Sequence, residues 1–366
     1  MESNKDSQLE INQLQTKKQV FIKINFLALL ITAAMLLISA VLLSAFAYFK
    51  FDSFSKTAGI SKSEFYQTLV AGWQQAPAET QNHKNLLILG VDTLETRGNS
   101  TPLTDSIMLT SVNLLTGKII ILPLPRDLWS EAYQTKINAL YTYGLERYPE
   151  NPQKFTQEVI SEMTDLEIHH NLVVSMTAVA EIIDLVGGVE VDIEQGFIDE
   201  EFPRTDIDVT IETKPENLYE TVEFKTGSQS MDGQTALKYM RSRHGNNDQN
   251  TDDARSNRQQ DLIQALVKKL INKKTLLNTN LAGQLYRYYL DNFADDLSPI
   301  ELIATGKKIF QNKNSIQLIN TSLSVYPDDS AGTIEHPPQY LYDGQWIYLI
   351  RDNQEFKNDI KDKLTN

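Results

Sequence analysis

The chain has 366 residues, is 41% hydrophobic, carries a formal net charge of -14 and contains no cysteine. That composition excludes disulfides, thiolate nucleophiles and zinc–thiolate sites. The acidic balance also disfavours a nucleic-acid binder, which needs a broad basic footprint.

Residues 1–25 are polar, with Lys17, Lys18 and Lys23 gathered before a run from Phe26 to Phe49 that holds no charged residue. A run of about 20 apolar residues crosses a bilayer core, so a transmembrane helix is expected over 26–49. The lysines place the amino-terminal tail in the cytoplasm and everything after Lys50 outside, in a single-pass cell-membrane protein. Tyr48-Phe49-Lys50-Phe51 offers no small-residue cleavage site for a signal peptide. Residues 50–82 read as an extracytoplasmic stalk, helical or irregular.

The main domain is expected over 83–275. Asn85-Leu-Leu-Ile-Leu-Gly-Val91 reads as a buried strand ending at Asp92, and a polar loop follows to Thr104. Asp105 opens a second strand, Ser106–Asn113. Thr116-Gly117 turns into a third, Lys118–Leu124, which ends in Pro125-Arg126-Asp127. Two strands around a glycine turn predict a hairpin. Helical patterns follow at Ile137–Tyr148 and at Phe155, Val159, Ile160 and Met163. A strand at Leu172–Val174 leads to a helix carrying Val179, Ile182, Ile183 and Val186, stopped by Gly187-Gly188, and then to a strand at Val189–Ile193. This alternation predicts an α/β fold: a mixed central sheet flanked by helices (α/β/α), preceded by the one transmembrane helix. The acidic stretch 194–230, with strand-like pieces at Ile207–Ile211 and Thr221–Phe224, reads as an excursion from the sheet.

A helix at Asp232–Met240 feeds the chain's most telling segment, Met240 to Gln260, where Arg241, Arg243, Arg255 and Arg258 cluster around a polar loop. Asp252-Asp253 are expected to cap a new helix, since carboxylates accept bonds from free first-turn N–H groups. Leu262, Ile263, Leu266, Val267 and Leu270 continue it at helical spacing. A helix start bearing two arginines, opposite an Arg-x-Arg pair, suits a multiply charged anion, and guanidinium forks fit phosphate better than lysine does. The plain alternative is a solvated basic loop. Residues 276–366 read as a C-terminal extension that packs on or follows the main domain. They carry helices near Leu281–Leu290 and Pro299–Phe310 and a strand at Trp346–Ile350. His169, His170 and His244 read as ordinary strand-edge or loop residues, and Tyr286, Tyr288 and Tyr289 as a helix packing face.

These pieces together resemble the LytR-CpsA-Psr family of membrane-anchored cell-envelope enzymes. The matching residues are Leu86-Leu-Ile-Leu-Gly-Val-Asp92, Thr104-Asp105-Ser-Ile-Met-Leu, Pro125-Arg126-Asp127, Lys136-Ile-Asn138, Val186-Gly-Gly-Val189 and the arginine loop ending Arg258-Gln259. Each piece is weak alone; their order and spacing over roughly 83–272 make the match specific. The resemblance implies a phosphotransferase that moves a glycopolymer from an undecaprenyl diphosphate carrier to a peptidoglycan sugar hydroxyl through a phosphodiester. It implies Asp92, Asp105 and Arg126 as catalytic residues, with Asp92 and Asp105 serving Mg2+ or the reacting phosphates. It further implies a diphosphate held by Arg126, Arg241, Arg243 and Arg255, helped by Asp252 and Gln259; Arg258 and Lys136 join that set as candidates. An apolar cavity would take the polyprenyl chain. Leu103 stands where many members carry arginine, so either one phosphate contact is missing or Arg97 reaches in from the same loop. The competing readings are a polyprenyl diphosphate phosphatase, with water in place of the sugar hydroxyl, and a non-catalytic membrane-tethered protein that senses lipid diphosphates.

Overall fold

The computed structural model describes residues 35–91, 103–204, 207, 214, 217–312 and 316–365. In chain order the elements begin with α1 (Met35–Ala58), α2 (Lys62–Gln74), β1 (His83–Val91), β2 (Thr104–Asn113), β3 (Lys118–Leu124), β4 (Trp129–Ser130) and β5 (Thr135–Lys136). Then come α3 (Leu140–Arg147), α4 (Gln153–Thr164), β6 (His170–Ser175), α5 (Met176–Leu185), β7 (Val189–Ile193), β8 (Phe197–Pro203), β9 (Tyr219–Phe224) and β10 (Gly227–Met231). The chain continues through α6 (Gly233–Arg241), α7 (Asp252–Leu270), α8 (Lys273–Leu277), α9 (Thr279–Asn292), α10 (Pro299–Gln311), β11 (Gln317–Asn320), β12 (Val325–Tyr326), β13 (Ile334–Glu335), β14 (Leu349–Ile350) and α11 (Asn353–Thr365).

The central sheet has five strands in the order β11-β3-β2-β1-β6. β1/β2 and β2/β3 are antiparallel, whereas β1/β6 and β3/β11 are parallel, so the sheet is mixed as expected. The β2–β3 hairpin closes on Gly117 at φ 75, with the Asn113 side chain accepting from the N–H groups of Leu115 and Thr116. Register puts Leu87, Leu109 and Leu122 side by side, and likewise Leu89, Ile107 and Leu124. They form one apolar face, sealed by Leu140 of α3, Phe155, Val159 and Ile160 of α4, and Phe356, Ile360 and Leu364 of α11.

The opposite face carries Leu86, Ile88, Met108, Ile121 and Leu172. Leu86, Ile88 and Leu172 are only half-buried. At its far end Lys84, 2% exposed, pairs with the equally enclosed Glu301 of α10. Glu301 also accepts from Gln75 Nε2 at 3.0 Å and Ala78 N at 2.7 Å. Helix α2 lies on α10 at Gly72, where a Cβ would come within 2.7 Å of Ile303. The segment expected as a stalk is therefore helical and docked.

One further expectation is corrected. β7 does not join the central sheet; it pairs with β10, and β8 pairs with β9. These strands share a second core with α5, α6 and α7, including Ile183, Val191, Phe197, Phe224, Met240 and Leu262. Of the two placements expected for the C-terminal stretch, packing on the main domain is the one seen: β11 is an edge strand of the central sheet and α11 closes its core. The apolar helix expected over 26–49 is seen as α1, whose most apolar stretch has mean hydropathy 1.6 and no buried residue. Residues 26–34, the three lysines before them and the piece at Ile207–Ile211, apart from residue 207 itself, lie outside the described residues.

Candidate active site

The chain end of β3, the start of β2 and the loop after α6 converge on one carboxylate. Asp105 sits at the second position of β2, and its Oδ1 accepts from Arg126 Nη1 at 2.7 Å. Its Oδ2 accepts from Arg243 Nη2 at 3.1 Å. Arg126 follows β3 through Pro125, in a turn held by Leu128 N–H to Pro125 O and by Asn138 N–H to Arg126 O. Asp127 faces Arg126 Nε at 3.4 Å and accepts from Lys136 Nζ at 2.7 Å. A continuous chain of charge thus runs Arg243–Asp105–Arg126–Asp127–Lys136, three cations against two carboxylates. Arg243 is the most open member, its side chain 43% exposed, against 13% for Asp105.

The arginine loop owes its shape to Asp199 of β8, which is fully buried. Its Oδ2 accepts from Ser242 Oγ at 2.7 Å and from the N–H groups of Arg243 and His244 at 3.1 and 3.2 Å. Its Oδ1 accepts from Glu201 N–H at 3.0 Å. An unpaired carboxylate at such a position would be costly; satisfied by these donors, it fixes the main chain that presents Arg243. Sequence reading missed Asp199. The signal was an acid at an inward position of a strand whose inward neighbour is Phe197.

Arg258 was expected on the anion, and the structure places it elsewhere. It is 2% exposed and donates from Nε to Tyr239 O, from Nη1 to Gln249 O and Oε1, and from Nη2 to Ser242 O. Its guanidinium also lies 4.8 Å over the Phe197 ring. Burial pushes its pKa down to about 10, still far above neutrality. Arg258 therefore ties the loop to α6 and α7.

Arg241 stands half-buried in the last turn of α6, and Arg255 lies buried near the start of α7. Gln259 is 6% exposed, and its Nε2 makes no hydrogen bond among the described residues. The cap of α7 is Thr251, whose hydroxyl accepts from Ala254 N–H, rather than the Asp252-Asp253 pair. The Asp252 side chain, Asp92 and Arg97 lie outside what the structure describes. Leu103 is described and 43% exposed. A cavity of about 450 Å³ lies off this centre, between Glu194, Gln195, Gln249, Asn257 and Asp261, with Arg258 in its wall.

A metal would have to be held by few ligands here, because no cluster of three or more His, Cys, Asp or Glu occurs among the described residues. Asp105 fits a magnesium ligand in one respect. Each of its oxygens bears one guanidinium bond and so keeps a lone pair, and Mg2+ is commonly held by one or two carboxylates plus substrate phosphates.

Comparison with known proteins agrees with this frame. The chain is 27% identical over 273 residues to the polyisoprenyl-teichoic acid–peptidoglycan teichoic acid transferase TagU of Oceanobacillus iheyensis, covering 74% of this chain and 72% of the relative. Against the corresponding transferase TagT of Bacillus subtilis, identity is 22% over 341 residues, 91% of each chain. The crystal structure of B. subtilis TagV superposes with a TM-score of 0.52 at 18% identity, covering 78% of this chain and 98% of that one, which shows a shared fold. The family model described as the LytR_cpsA_psr family matches residues 47–355, and the chain belongs to that family.

Proposed function

We propose that this protein is a membrane-anchored phosphotransferase that moves a glycopolymer from an undecaprenyl diphosphate carrier to a sugar hydroxyl of peptidoglycan. The observation that carries the reading is Asp105 gripped on both oxygens by Arg126 and Arg243 at the open end of the sheet. The relatives named as teichoic acid transferases support the reaction class.

In this reading the acceptor hydroxyl oxygen attacks the phosphorus that bears the polymer. The P–O bond to the carrier's second phosphate breaks, polyprenyl phosphate leaves, and the hydroxyl proton is released. Such a transfer needs charge neutralisation on the leaving phosphate and alignment of the attacking oxygen. Arg126 and Arg243 supply guanidinium forks for the diphosphate, with Arg241 and Arg255 on the adjoining helices and Lys136 behind Arg126. An entering diphosphate competes with Asp105 for the same forks and frees its carboxylate. Asp105, together with Asp92, would then hold Mg2+, which when bound would neutralise charge on the diphosphate oxygens. The half-buried apolar face at Leu86, Ile88 and Leu172 suits a prenyl chain, since it runs along β1 toward the same end of the sheet. Helix α1 would anchor the enzyme in the cell membrane with its catalytic domain outside.

The test is binding of a prenyl diphosphate to the full chain in detergent. Arg126→Ala or Arg243→Ala should each weaken it by about 1.5–3 kcal/mol, the worth of a hydrogen bond to a charged group. Unchanged affinity in both variants would remove this cluster from the substrate site. Transfer measured with and without a peptidoglycan acceptor separates a transferase from a phosphatase.

A further inference from the structure

We infer that the C-terminal segment 333–348 builds an aromatic platform beside the phosphoryl-transfer centre, and that this platform binds the pyranose rings of a glycan strand. The segment is tied to the catalytic turn by main-chain bonds. Tyr348 N–H donates to Asp127 O at 3.0 Å, and Trp129 N–H donates to Tyr348 O at 2.8 Å. Asp127 is the carboxylate that contacts both Arg126 and Lys136, and Trp129 lies opposite Lys136 across β4 and β5. The platform thus shares a backbone frame with the residues proposed to bind the diphosphate.

Its surface is aromatic and open. Trp346 is 48% exposed and lies against His336 with the rings tilted by 30° and centroids 3.6 Å apart, while the imidazole Nδ1 is held 2.7 Å from Ile347 O. Tyr342 packs edge-on against Trp129 at 5.8 Å. Tyr340 is 80% exposed, at the tip of a helical turn stopped by Asp343 at φ 53 and Gly344 at φ 77. Exposed rings gathered in one place mark an interaction site more than chance. Rings that pair an apolar face with a polar tip suit a ligand with apolar C–H faces and hydroxyl edges. A sugar has both.

Charge selects between a glycan and a bilayer surface. Residues 333–348 hold two carboxylates, Asp343 and Glu335, and no lysine or arginine of their own, although Arg351 Nε just beyond lies 3.6 Å from Glu335. An anionic lipid surface is attracted by basic residues and repelled by these, whereas a saccharide hydroxyl donates readily to a carboxylate. The platform rests on the transferase reading only for the identity of its sugar, which would be the acceptor strand or the carried polymer.

The experiment uses the full chain in detergent micelles and measures binding of two soluble probes. One is an N-acetylglucosamine–N-acetylmuramic acid oligosaccharide, and the other is a fragment of a sugar-containing phosphate-linked polymer. Tyr340→Ala and Trp346→Ala should each weaken binding of at least one probe by roughly tenfold, the loss of one good aromatic contact. The probe affected identifies the strand. Affinity for a prenyl diphosphate should stay unchanged in both variants. Tyr340 is too exposed for its loss to disturb folding, so it guards against a folding artefact at Trp346. Unaltered affinity for both saccharides in both variants overturns the platform. Failure of the parent protein to bind prenyl diphosphate would overturn the transferase reading and leave the platform standing.

Discussion

Arg243 lies in the loop after α6 and Arg258 in the second turn of α7, and the fold uses them for opposite ends. Arg258 commits Nε, Nη1 and Nη2 to three main-chain carbonyls inside the protein, while Arg243 reaches outward to Asp105. Replacement by lysine separates the two roles, because an ammonium keeps the charge and loses the planar fork. Arg258→Lys should lower unfolding stability by about 1–3 kcal/mol, since buried carbonyls lose their donors. Arg243→Lys should leave stability near that of the parent and restore only part of the diphosphate affinity lost in Arg243→Ala. Chemical denaturation and ligand titration read the two effects, and equal destabilisation by both lysine variants would contradict the assignment. Asp199→Ala should also destabilise, because Ser242, Arg243 and His244 would lose a shared buried acceptor. Sequence could not separate the roles of Arg243 and Arg258, since both are arginines flanking one polar loop. The difference arises from β8, which brings Asp199 and Phe197 under the loop from the acidic stretch that reads as an excursion from the sheet.

Glu301 near the start of α10 holds a buried polar knot that ties this helix to β1 and to the chain leaving α2, beside the packing of Gly72 on Ile303. Glu301 gathers Lys84, Gln75 and the Ala78 N–H, and His170 Nε2 stands 3.9 Å away. Burial lowers the His170 pKa below its usual 6.5, with Lys84 adding to that effect and Glu301 and the Asp296 carbonyl opposing it. The unfolded chain therefore takes up a proton before the folded one does, so stability is full above 6.5 and declines as the pH falls below it. His83 and His169, also lowered by burial, act in the same window. For Glu301 burial works upward, but Lys84 and the Ala78 N–H outweigh it and the net shift is downward. Its contribution is present above 4.5 and is lost only in stronger acid, as the pH falls through the folded value. Melting temperature followed from pH 7.5 to 5.5 should fall, and fall less in His170→Gln; an identical slope in that variant would remove His170 from the account. Gly72→Val should open the same junction by about 1–3 kcal/mol, because the added carbons meet Ile303 and the Ile300 carbonyl. The helices themselves were readable from apolar spacing. Their docking was not, because α10 meets α2 and β1 through residues more than two hundred positions away, Gln75 and Lys84.

At the scale of the whole molecule, the central sheet is closed by the last part of the chain. The three strands that carry most of the core, β1 to β3, were legible from sequence because each is a short apolar run between turn residues. β11 was not: Gln317-Leu-Ile-Asn320 is too short to stand out, and its partner β3 lies far back in the sequence. The tail therefore reads as an extension, although Phe356, Ile360 and Leu364 of α11 are 0–1% exposed and pack on α4 and the sheet. Removing such side chains costs about 2–5 kcal/mol each, against a total stability of about 5–15 kcal/mol for a domain. A chain ended after residue 316 loses all three together with the pairing of Leu318 and Ile319 against Ile119 and Ile120. It should accumulate as insoluble material, while Phe356→Ala in the full chain should stay soluble and melt at a lower temperature. The soluble fraction after expression and the melting curve of the point variant decide the matter. A soluble, cooperatively melting truncation would show that residues 83–275 fold without the C-terminal strand and helix.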